Sequence, residues 1–342
     1  MTDTDVVEVS AVDEFKDRKG RLMFLGVIQI LLGGLCLLLL SGMLMSVLFA
    51  NINPEAAESA KFGIRQMIQA LGFYILLGGW FICMGIGSIG CRRWARALSL
   101  VTSWLWLICG IVGMVSMIFF APFMRSNMAA GQPEELPENF FVIMQIIMFA
   151  FMTVAYVIIP LVFVLLYSGR DVRLTCEYRD QKVRWTDRCP LPVLGVCEIF
   201  SFWLLSMSFM VFQGCVVPFF GTVLESFAGA AVILVMSVAV AFVVFGLYKL
   251  DIRAWWGALV LPLVWFPMFS LTFYGDNKWQ FYEKLNTPAE SIEAMKAMGN
   301  FTPMMMAIFA FWIVGLVGYL LYIKRYFKKD SSIDVGLSLE QV

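Results

Sequence analysis

Residues 92–104, RRWARALSLVTSW, correspond to residues 253–265, RAWWGALVLPLVW, and this pair of stretches decides the fold. Both begin with an arginine, and both carry two tryptophans, an alanine and two leucines at the same spacing from it. Arginine reaches the lipid headgroups, while tryptophan prefers the boundary between the polar and apolar zones of a bilayer. We therefore interpret Arg92, Trp94, Arg253 and Trp255 as interface anchors that fix the depth of two membrane helices.

Further matches extend the similarity to the neighbouring apolar runs. GVIQI at residues 26–30 corresponds to GVCEI at residues 195–199, and LLY at residues 165–167 recurs at residues 320–322. Each copy contains four apolar runs, and because this number is even, both copies enter the membrane in the same direction. The sequence therefore predicts two parallel-related four-helix repeats, with a symmetry axis close to the membrane normal.

The composition places the whole chain in a membrane. Of the 342 residues, 61% are hydrophobic and only 15% are charged, and the mean hydropathy is +0.82, which exceeds what a soluble core holds. A helix that spans a bilayer needs about 20 mostly apolar residues. The runs that are long enough are 22–50, 67–90, 95–120, 140–168, 192–219, 226–249, 254–274 and 301–323. The predicted fold is an all-α polytopic membrane protein with eight transmembrane helices.

The predicted domain organisation follows from these runs. A tail at residues 1–21 precedes the first repeat at 22–169, a linker at 170–191 leads to the second repeat at 192–324, and a tail at 325–342 follows. Most of the 25 lysines and arginines fall on the side that carries both tails and the linker. Because basic residues concentrate in cytoplasmic segments, we expect both termini and the linker to be cytoplasmic. The opening residues are polar and acidic, and we expect no cleavable signal peptide there.

The linker alternates between apolar and polar residues. Val172, Leu174, Cys176 and Tyr178 occupy one set of positions, and charged or hydroxyl residues occupy the other. This period of two predicts a short cytoplasmic β-hairpin. The segment TCEYRDQKVRWTDRCPLPVL at residues 175–194 resembles the linker of a family of bacterial multi-spanning integral membrane proteins with no known activity. The resemblance implies a bacterial inner-membrane location and adds nothing about catalysis.

Between the seventh and eighth runs, the residues Thr287–Glu290 have the pattern of a capping box, with proline at the first helical position. Gly299 would end the helix, and Ile292, Met295 and Met298 fall on one face. The sequence therefore predicts a short helix that rests on the membrane or on the bundle, on the side opposite the linker.

The residue types argue against catalysis. Histidine is absent, which removes histidine-based acid–base chemistry and histidine ligands for haem or metals. Cys176 and Cys189 of the linker are too few and too far apart for a structural zinc site, so we predict no metal and no cofactor. Basic and acidic residues each total 25, and nothing indicates nucleic-acid binding. We expect no enzymatic activity.

One carboxylate is predicted to lie inside the membrane. Glu198 falls about two helical turns into the fifth run, and Gln29 occupies the matching position in the first run. Ionisable residues inside a bilayer are costly and are functional suspects. One interpretation is a proton- or cation-coupled site, or a headgroup pocket, between the repeats. The other is a structural contact of Glu198 with Arg253 or Lys249, with Gln29 making an interhelical hydrogen bond.

Two functions remain open. The missing chemistry and the short loops favour a non-enzymatic membrane component, either a scaffold or a subunit that binds other membrane proteins. The alternative is a transporter or channel for a small solute or lipid, with its polar site at Gln29 and Glu198. Glycines of the first two runs would let helices pack closely or slide past one another; they are Gly33, Gly34, Gly78, Gly79, Gly85, Gly87 and Gly90. The predicted partners are the lipid bilayer and other membrane proteins.

Overall fold

The computed structural model describes residues 16–52, 64–130, 138–275, 277–285, 287, 289–297 and 302–327. Within these residues, eight helical segments are long and apolar enough to cross a membrane, which confirms the predicted number of spans. The spans are α1 (Lys19–Ile52), α2 (Ile64–Ile89), α3 (Arg93–Ala130), α4 and α5 together (Glu138–Thr153 and Ile159–Tyr167), α7 (Leu191–Met210), α8 (Ser226–Tyr248), α9 (Ile252–Tyr274) and α12 (Thr302–Ile323). The other elements are α6 (Arg170–Arg179), α10 (Asn277–Lys284), α11 (Ala289–Ala297), β1 (Val217–Phe219) and β2 (Thr222–Leu224).

The chain forms two compact units. The first unit comprises residues 1–38, 77–115 and 142–188, and the second comprises residues 39–76, 116–141 and 189–342. The helices α1 to α4 each contribute residues to both units. The units therefore divide the chain differently from the predicted repeats.

In the first unit, two pairs of glycines bring α1 and α2 into close contact. A Cβ atom on Gly26 would lie 2.6 Å from the carbonyl oxygen of Gly85, and one on Gly33 would lie 2.6 Å from that of Gly78. The pairs are one heptad apart on each helix, so they fall on one antiparallel seam. No larger side chain fits at this distance, and the prediction of close packing is confirmed at Gly33, Gly78 and Gly85. It is wrong at Gly34 and Gly79, where nothing lies within 4 Å of the position that a Cβ would take.

A π-helical turn at Val154–Ile158 joins α4 to α5 in the fourth span. Pro160 follows this turn, and because it has no N–H it leaves the carbonyl of Tyr156 without the usual donor four residues on. That carbonyl meets α3 at Gly110, where an added Cβ would overlap the oxygen. Trp106, one turn earlier on α3, contacts the Tyr156 ring edge-on, with centroids 6.5 Å apart. The proline and the glycine therefore determine how closely α3 and the fourth span approach.

The linker begins as a helix, and the predicted β-hairpin is wrong. α6 covers Arg170–Arg179 and buries Val172, Thr175 and Cys176, which are spaced three and four residues apart. Tyr178, which the alternating pattern grouped with Val172, is 69% exposed. A buried stripe at this spacing is the mark of a helix. The alternation was misleading because residues four apart satisfy both a period of two and a helical period.

A β-hairpin does occur, but in the second unit and at the end of the predicted fifth span, 192–219. α7 continues as a short 3-10 turn to Gln213, and Gly214 then adopts a left-handed conformation with φ of +82°. β1 and β2 pair antiparallel across Phe220 and Gly221. Both of these residues have positive φ, +43° and +87°, which is the geometry of a tight two-residue hairpin turn. The fifth span is therefore shorter than predicted, and its last apolar residues form a strand.

The helices of the second unit pack in chain order. α7 packs against α8, α8 against α9, and α9 against α12. The hairpin rests on this bundle, because β1 contacts α8 and α9. Their shared core consists of Cys215, Val217, Ile233 and Met268.

The hairpin end of the second unit also carries two short helices. α10, which the sequence did not predict, contacts α9 and β2. α11 confirms the predicted helix after the capping box, and Ile292 on its apolar face is 5% exposed. Pro288, Met298 and Gly299 of that prediction lie outside the described residues.

Candidate functional site

Four polar side chains form a closed network inside the first unit. The amide nitrogen of Gln29 on α1 donates to Ser99 Oγ on α3 at 2.9 Å, and its amide oxygen accepts from Tyr167 on α5 at 3.2 Å. Ser88 on α2 completes the set, with its Oγ 2.8 Å from Tyr167 Oη and 3.3 Å from Gln29 Oε1. None of the four residues is more than 1% exposed. We call this set the Gln29 network.

The Gln29 network takes one residue from each of α1, α2, α3 and α5, so it holds four helices in one register. Hydrogen bonds of this kind between membrane helices contribute about 0.6 kcal/mol each on average. The sequence pointed to Gln29 because a polar amide stood out in an apolar run, and the interhelical hydrogen bond is present. It gave no signal for the two serines, which are common in membrane helices. It gave none for Tyr167 either, whose sequence counterpart Tyr322 is 53% exposed.

Glu198 lies on α7 in the second unit and is 6% exposed. Its predicted partners, Lys249 and Arg253, are both exposed. Arg253 donates its backbone N–H to the Asp251 carboxylate at 2.9 Å. A contact of Glu198 with Lys249 or Arg253 stays a prediction. Gln29 and Glu198 belong to different compact units, and a polar site shared by both stays a prediction.

The predicted interface anchors have different surroundings. Trp255 is 1% exposed, and its indole N–H donates to the carbonyl of Leu320 at 2.7 Å, so it packs α9 against α12. The Arg92 side chain is half exposed and lies 3.7 Å from Asp180 of the linker. Trp94 is partly buried. The repeated tryptophans therefore do not share one environment.

The turns before α3 and α9 have the same backbone geometry. The residues that correspond by geometry are not those that correspond in the sequence alignment of the two repeats. Each turn contains one residue with positive φ, +50° at Cys91 and +59° at Leu250. The following N–H then bonds back five residues at 2.9 Å, as in a Schellman motif. These bonds run from Arg92 to Gly87 and from Asp251 to Gly246. By geometry Arg92 therefore corresponds to Asp251, whereas the sequence match aligned it with Arg253.

Asp180 of the linker supplies the cap that the α3 sequence lacks. Its Oδ2 accepts the backbone N–H of Arg93, the first residue of α3, at 3.3 Å. Its two carboxylate oxygens also accept from the Arg184 guanidinium at 2.7 and 2.9 Å. The Asp180 side chain is only 2% exposed. The bonds from Arg184, followed by the Arg93 N–H, hold the pKa of Asp180 below its ordinary value of 3.8.

Ion pairs connect the linker to α3 and to the residues before α1. Arg18 pairs with Asp171 at 3.2 Å and donates its backbone N–H to Thr175 at 3.0 Å. The other pairs are Asp17 with Arg179 at 2.5 Å, Arg93 with Asp187 at 3.6 Å, and Arg173 with Glu177 at 2.8 Å. We call these residues and Asp180 the linker cluster. The cluster makes α6 and the 3-10 turn at Trp185–Arg188 an integral part of the first unit.

Cys176 of the linker is unsuited to nucleophilic chemistry. Cys176 is 1% exposed, and burial raises its pKa to about 12. Its thiol is therefore protonated at neutral pH and is a poor nucleophile and metal ligand. Cys189 is also buried. Across the described part of the chain, no three His, Cys, Asp or Glu residues lie close enough together to hold a metal ion.

A cavity of about 550 Å³ opens at the hairpin end of the second unit. It is bounded by the start of α8, the segment before β1 and Lys284 of α10. Lys284 pairs with Glu225 at 3.3 Å and donates to the carbonyl of Val223 at 3.0 Å. The charged groups that line the cavity therefore neutralise each other.

No protein-family model, curated protein or solved structure matches this chain. Its class therefore follows from its own structure. It is a helical membrane protein with eight candidate spans and a small two-stranded sheet.

Proposed function

We propose that this protein is a non-enzymatic membrane component, a scaffold or a subunit that binds other membrane proteins. The observation that carries the proposal is the closed Gln29 network. A transport pathway through the first unit would need polar groups that face water or a substrate. The polar groups of the network bond to one another instead, and none of the four residues is more than 1% exposed.

Tight backbone packing supports the same proposal. The Gly26–Gly85 and Gly33–Gly78 contacts leave no space for larger side chains between α1 and α2. Close packing of this kind resists the sliding of one helix along another. A fixed bundle suits a protein whose role is to present surfaces to its neighbours.

The proposal includes the predicted orientation and the predicted duplication. The excess of lysine and arginine on the linker side supports a cytoplasmic linker and cytoplasmic termini in a bacterial inner membrane. The shared geometry of the turns before α3 and α9 supports an origin by parallel duplication of a four-helix unit.

Three exposed apolar side chains of the linker form the proposed surface for a protein partner. Tyr178, Val183 and Trp185 are 69%, 67% and 49% exposed, and all three lie between the fourth and fifth spans. Exposed apolar patches outside a membrane commonly mark interaction surfaces. We call these three residues the linker patch.

The test compares the wild-type protein with a linker-patch variant that carries Tyr178→Ser, Val183→Ser and Trp185→Ser. Both are purified from membranes in mild detergent, and co-purifying proteins are quantified by mass spectrometry. The matched control, Tyr322→Ser, removes an aromatic side chain that is 53% exposed on α12. We expect a partner that the wild type and the control retain and that the linker-patch variant loses at least fivefold. A wild-type protein that purifies alone as a monomer would overturn the proposal.

The second candidate function is transport of a small solute or lipid. The observation that favours it is Glu198, a carboxylate on a membrane span that is only 6% exposed. The test is proton-linked uptake into vesicles that contain the wild-type protein or Glu198→Gln. We expect uptake by wild-type vesicles to match that of empty vesicles. Uptake that depends on Glu198 would instead establish transport and contradict the scaffold proposal.

A further inference from the structure

Arg96, in the first turn of α3, carries a charge that the described residues leave uncompensated. Its side chain is partly buried, and its Nε is fully buried without a hydrogen-bond partner. No described carboxylate lies within ion-pair distance of its guanidinium group. Arg96 differs in this respect from Arg93, which pairs with Asp187 in the linker cluster.

The groups that act electrostatically on Arg96 do not neutralise it. They are Cys176, Arg173, Glu177 and Asp187. Glu177 is paired with Arg173 at 2.8 Å, and Asp187 is paired with Arg93 at 3.6 Å. The Cys176 thiol is protonated at neutral pH and supplies no negative charge. The buried Nε of Arg96 therefore lacks a negatively charged partner among these groups.

Two further polar atoms near the start of α3 and in the linker have no hydrogen-bond partner within the described residues. Arg93 Nε and Thr186 Oγ1 are buried and have no hydrogen-bond partner. Arg93 precedes Arg96 by three residues, so the two side chains leave α3 on one face. Thr186 is 2% exposed and is the chain neighbour of Asp187, which contacts Arg93. The Nε of Arg93, the Nε of Arg96 and the Thr186 hydroxyl group thus lack a partner, whereas the terminal nitrogens of Arg93 contact Asp187 and the Glu177 carbonyl.

The location of Arg93, Arg96 and Thr186 indicates which kind of ligand would bind them. Arg93 and Arg96 lie where α3 begins its span, at the depth of lipid headgroups. Guanidinium groups bind phosphate through paired N–H donors, and a hydroxyl group adds a further donor. The positive charge of Arg96 itself disfavours a choline headgroup and favours an anionic one.

We propose that Arg96, together with Arg93 and Thr186, binds the phosphate of an anionic phospholipid in the leaflet at the linker end of α3. The lipid phosphate supplies the counter-charge that Arg96 lacks. This site does not depend on the scaffold function proposed above. Loss of the lipid would leave protein partners at the linker patch unaffected.

The test measures lipid binding to the full chain in detergent, by native mass spectrometry and by thermal shift. The probes are dioctanoyl phosphatidylglycerol, dioctanoyl phosphatidylcholine and inorganic phosphate. We expect the wild type to bind phosphatidylglycerol more tightly than phosphatidylcholine, because both carry the phosphate but choline adds a positive charge beside Arg96. Arg96→Gln should weaken phosphatidylglycerol binding about tenfold, as for the loss of a hydrogen bond to a charged group. Arg188→Gln, which removes an exposed charge from the same linker turn, is the matched control and should leave binding unchanged.

A second variant keeps the test decisive if Arg96→Gln does not fold. Thr186→Val preserves size and charge, and we expect it to weaken phosphatidylglycerol binding about threefold. Inorganic phosphate could instead stabilise the wild type as strongly as the lipid does and fail to stabilise Arg96→Gln. That result would show a site for a soluble phosphate anion and would overturn the assignment to a lipid. Equal lipid affinity of wild type, Arg96→Gln and Thr186→Val would overturn the proposal.

Discussion

The carboxylate of Asp180 accepts the backbone N–H of Arg93 from 87 residues away in the chain, at 3.3 Å. In the second unit, Asp251 performs the same task for α9 from within its own turn, accepting the N–H of Arg253 at 2.9 Å. The two helices begin with like turns, yet α3 depends on the linker for its cap. The linker is therefore part of the folded first unit, and it is a helix where the sequence predicted a short β-hairpin.

Asp180→Asn should destabilise the first unit. The substitution removes the negative charge that accepts two bonds from Arg184 and one from Arg93, in a side chain that is 2% exposed. Hydrogen bonds to a buried charged group are worth about 1.5–3 kcal/mol, and we expect a loss of about 2 kcal/mol. The measurement is the midpoint of thermal unfolding in detergent. Asp17→Asn is the control, because the Asp17 side chain is 51% exposed and its ion pair with Arg179 should contribute little.

The same carboxylate predicts a dependence of stability on pH. The folded state holds the pKa of Asp180 below 3.8, so this contribution is complete above the unfolded pKa and is lost as the pH falls through the folded value. We therefore expect wild-type stability to decline below about pH 4, the range in which an unperturbed aspartate takes up its proton. Asp180→Asn should show a flatter profile over that range. Parallel profiles for the two proteins would show that another group controls acid unfolding.

Features that depend on neighbouring residues in the sequence could be predicted, whereas features that depend on contacts between distant residues could not. The eight spans were predictable because an apolar run of sufficient length has one stable solution in a bilayer. The linker helix was missed because Val172 and Cys176 fit both a strand and a helix, and the two are separated by the burial of Thr175 and the exposure of Tyr178. The cap on α3 joins Asp180 to Arg93 through tertiary structure, and no local pattern encodes it.

The Gln29 network could likewise be predicted only in part from the sequence. The amide of Gln29 stood out in an apolar run, but its partners Ser88, Ser99 and Tyr167 come from three other helices. Their convergence depends on how the helices pack, and packing is set by contacts such as the glycine seam. The sequence match at Tyr322 gave no guidance, because that residue is exposed.

The Gln29 network should behave as one cooperative unit. Gln29→Leu removes the amide that three side chains share, and we expect a loss of about 1–2 kcal/mol from the buried polar groups left unpaired. Tyr167→Phe should cost less, about 1 kcal/mol, because Ser88 still bonds Gln29. In a double-mutant cycle followed by thermal unfolding, the double variant should lose less than the sum of the two single variants. Strict additivity would contradict a shared network, and Tyr322→Phe serves as the exposed control.

Site-directed labelling should reveal the orientation. In a cysteine-free background, Lys182→Cys on the linker and Arg253→Cys at the start of α9 should react with a membrane-impermeant maleimide only in inverted vesicles. Lys296→Cys on α11 should react in intact cells. All three positions are exposed, so reactivity reports their side of the membrane. Labelling of positions 182 and 253 from opposite sides would exclude the parallel duplication.

Gly110 and Gly113 provide a matched pair on α3. An added methyl at Gly110 would overlap the carbonyl oxygen of Tyr156, whereas nothing lies within 4 Å of the position that a Cβ would take at Gly113. Gly110→Ala should therefore cost about 1–3 kcal/mol through forced separation of α3 from the fourth span. Gly113→Ala should be neutral or stabilising by up to about 1 kcal/mol, because alanine is the better helix former. Thermal unfolding of both variants distinguishes the outcomes. Equal stability of the two would mean that the Tyr156 carbonyl is not fixed against α3, and that Pro160 does not set the approach of these helices.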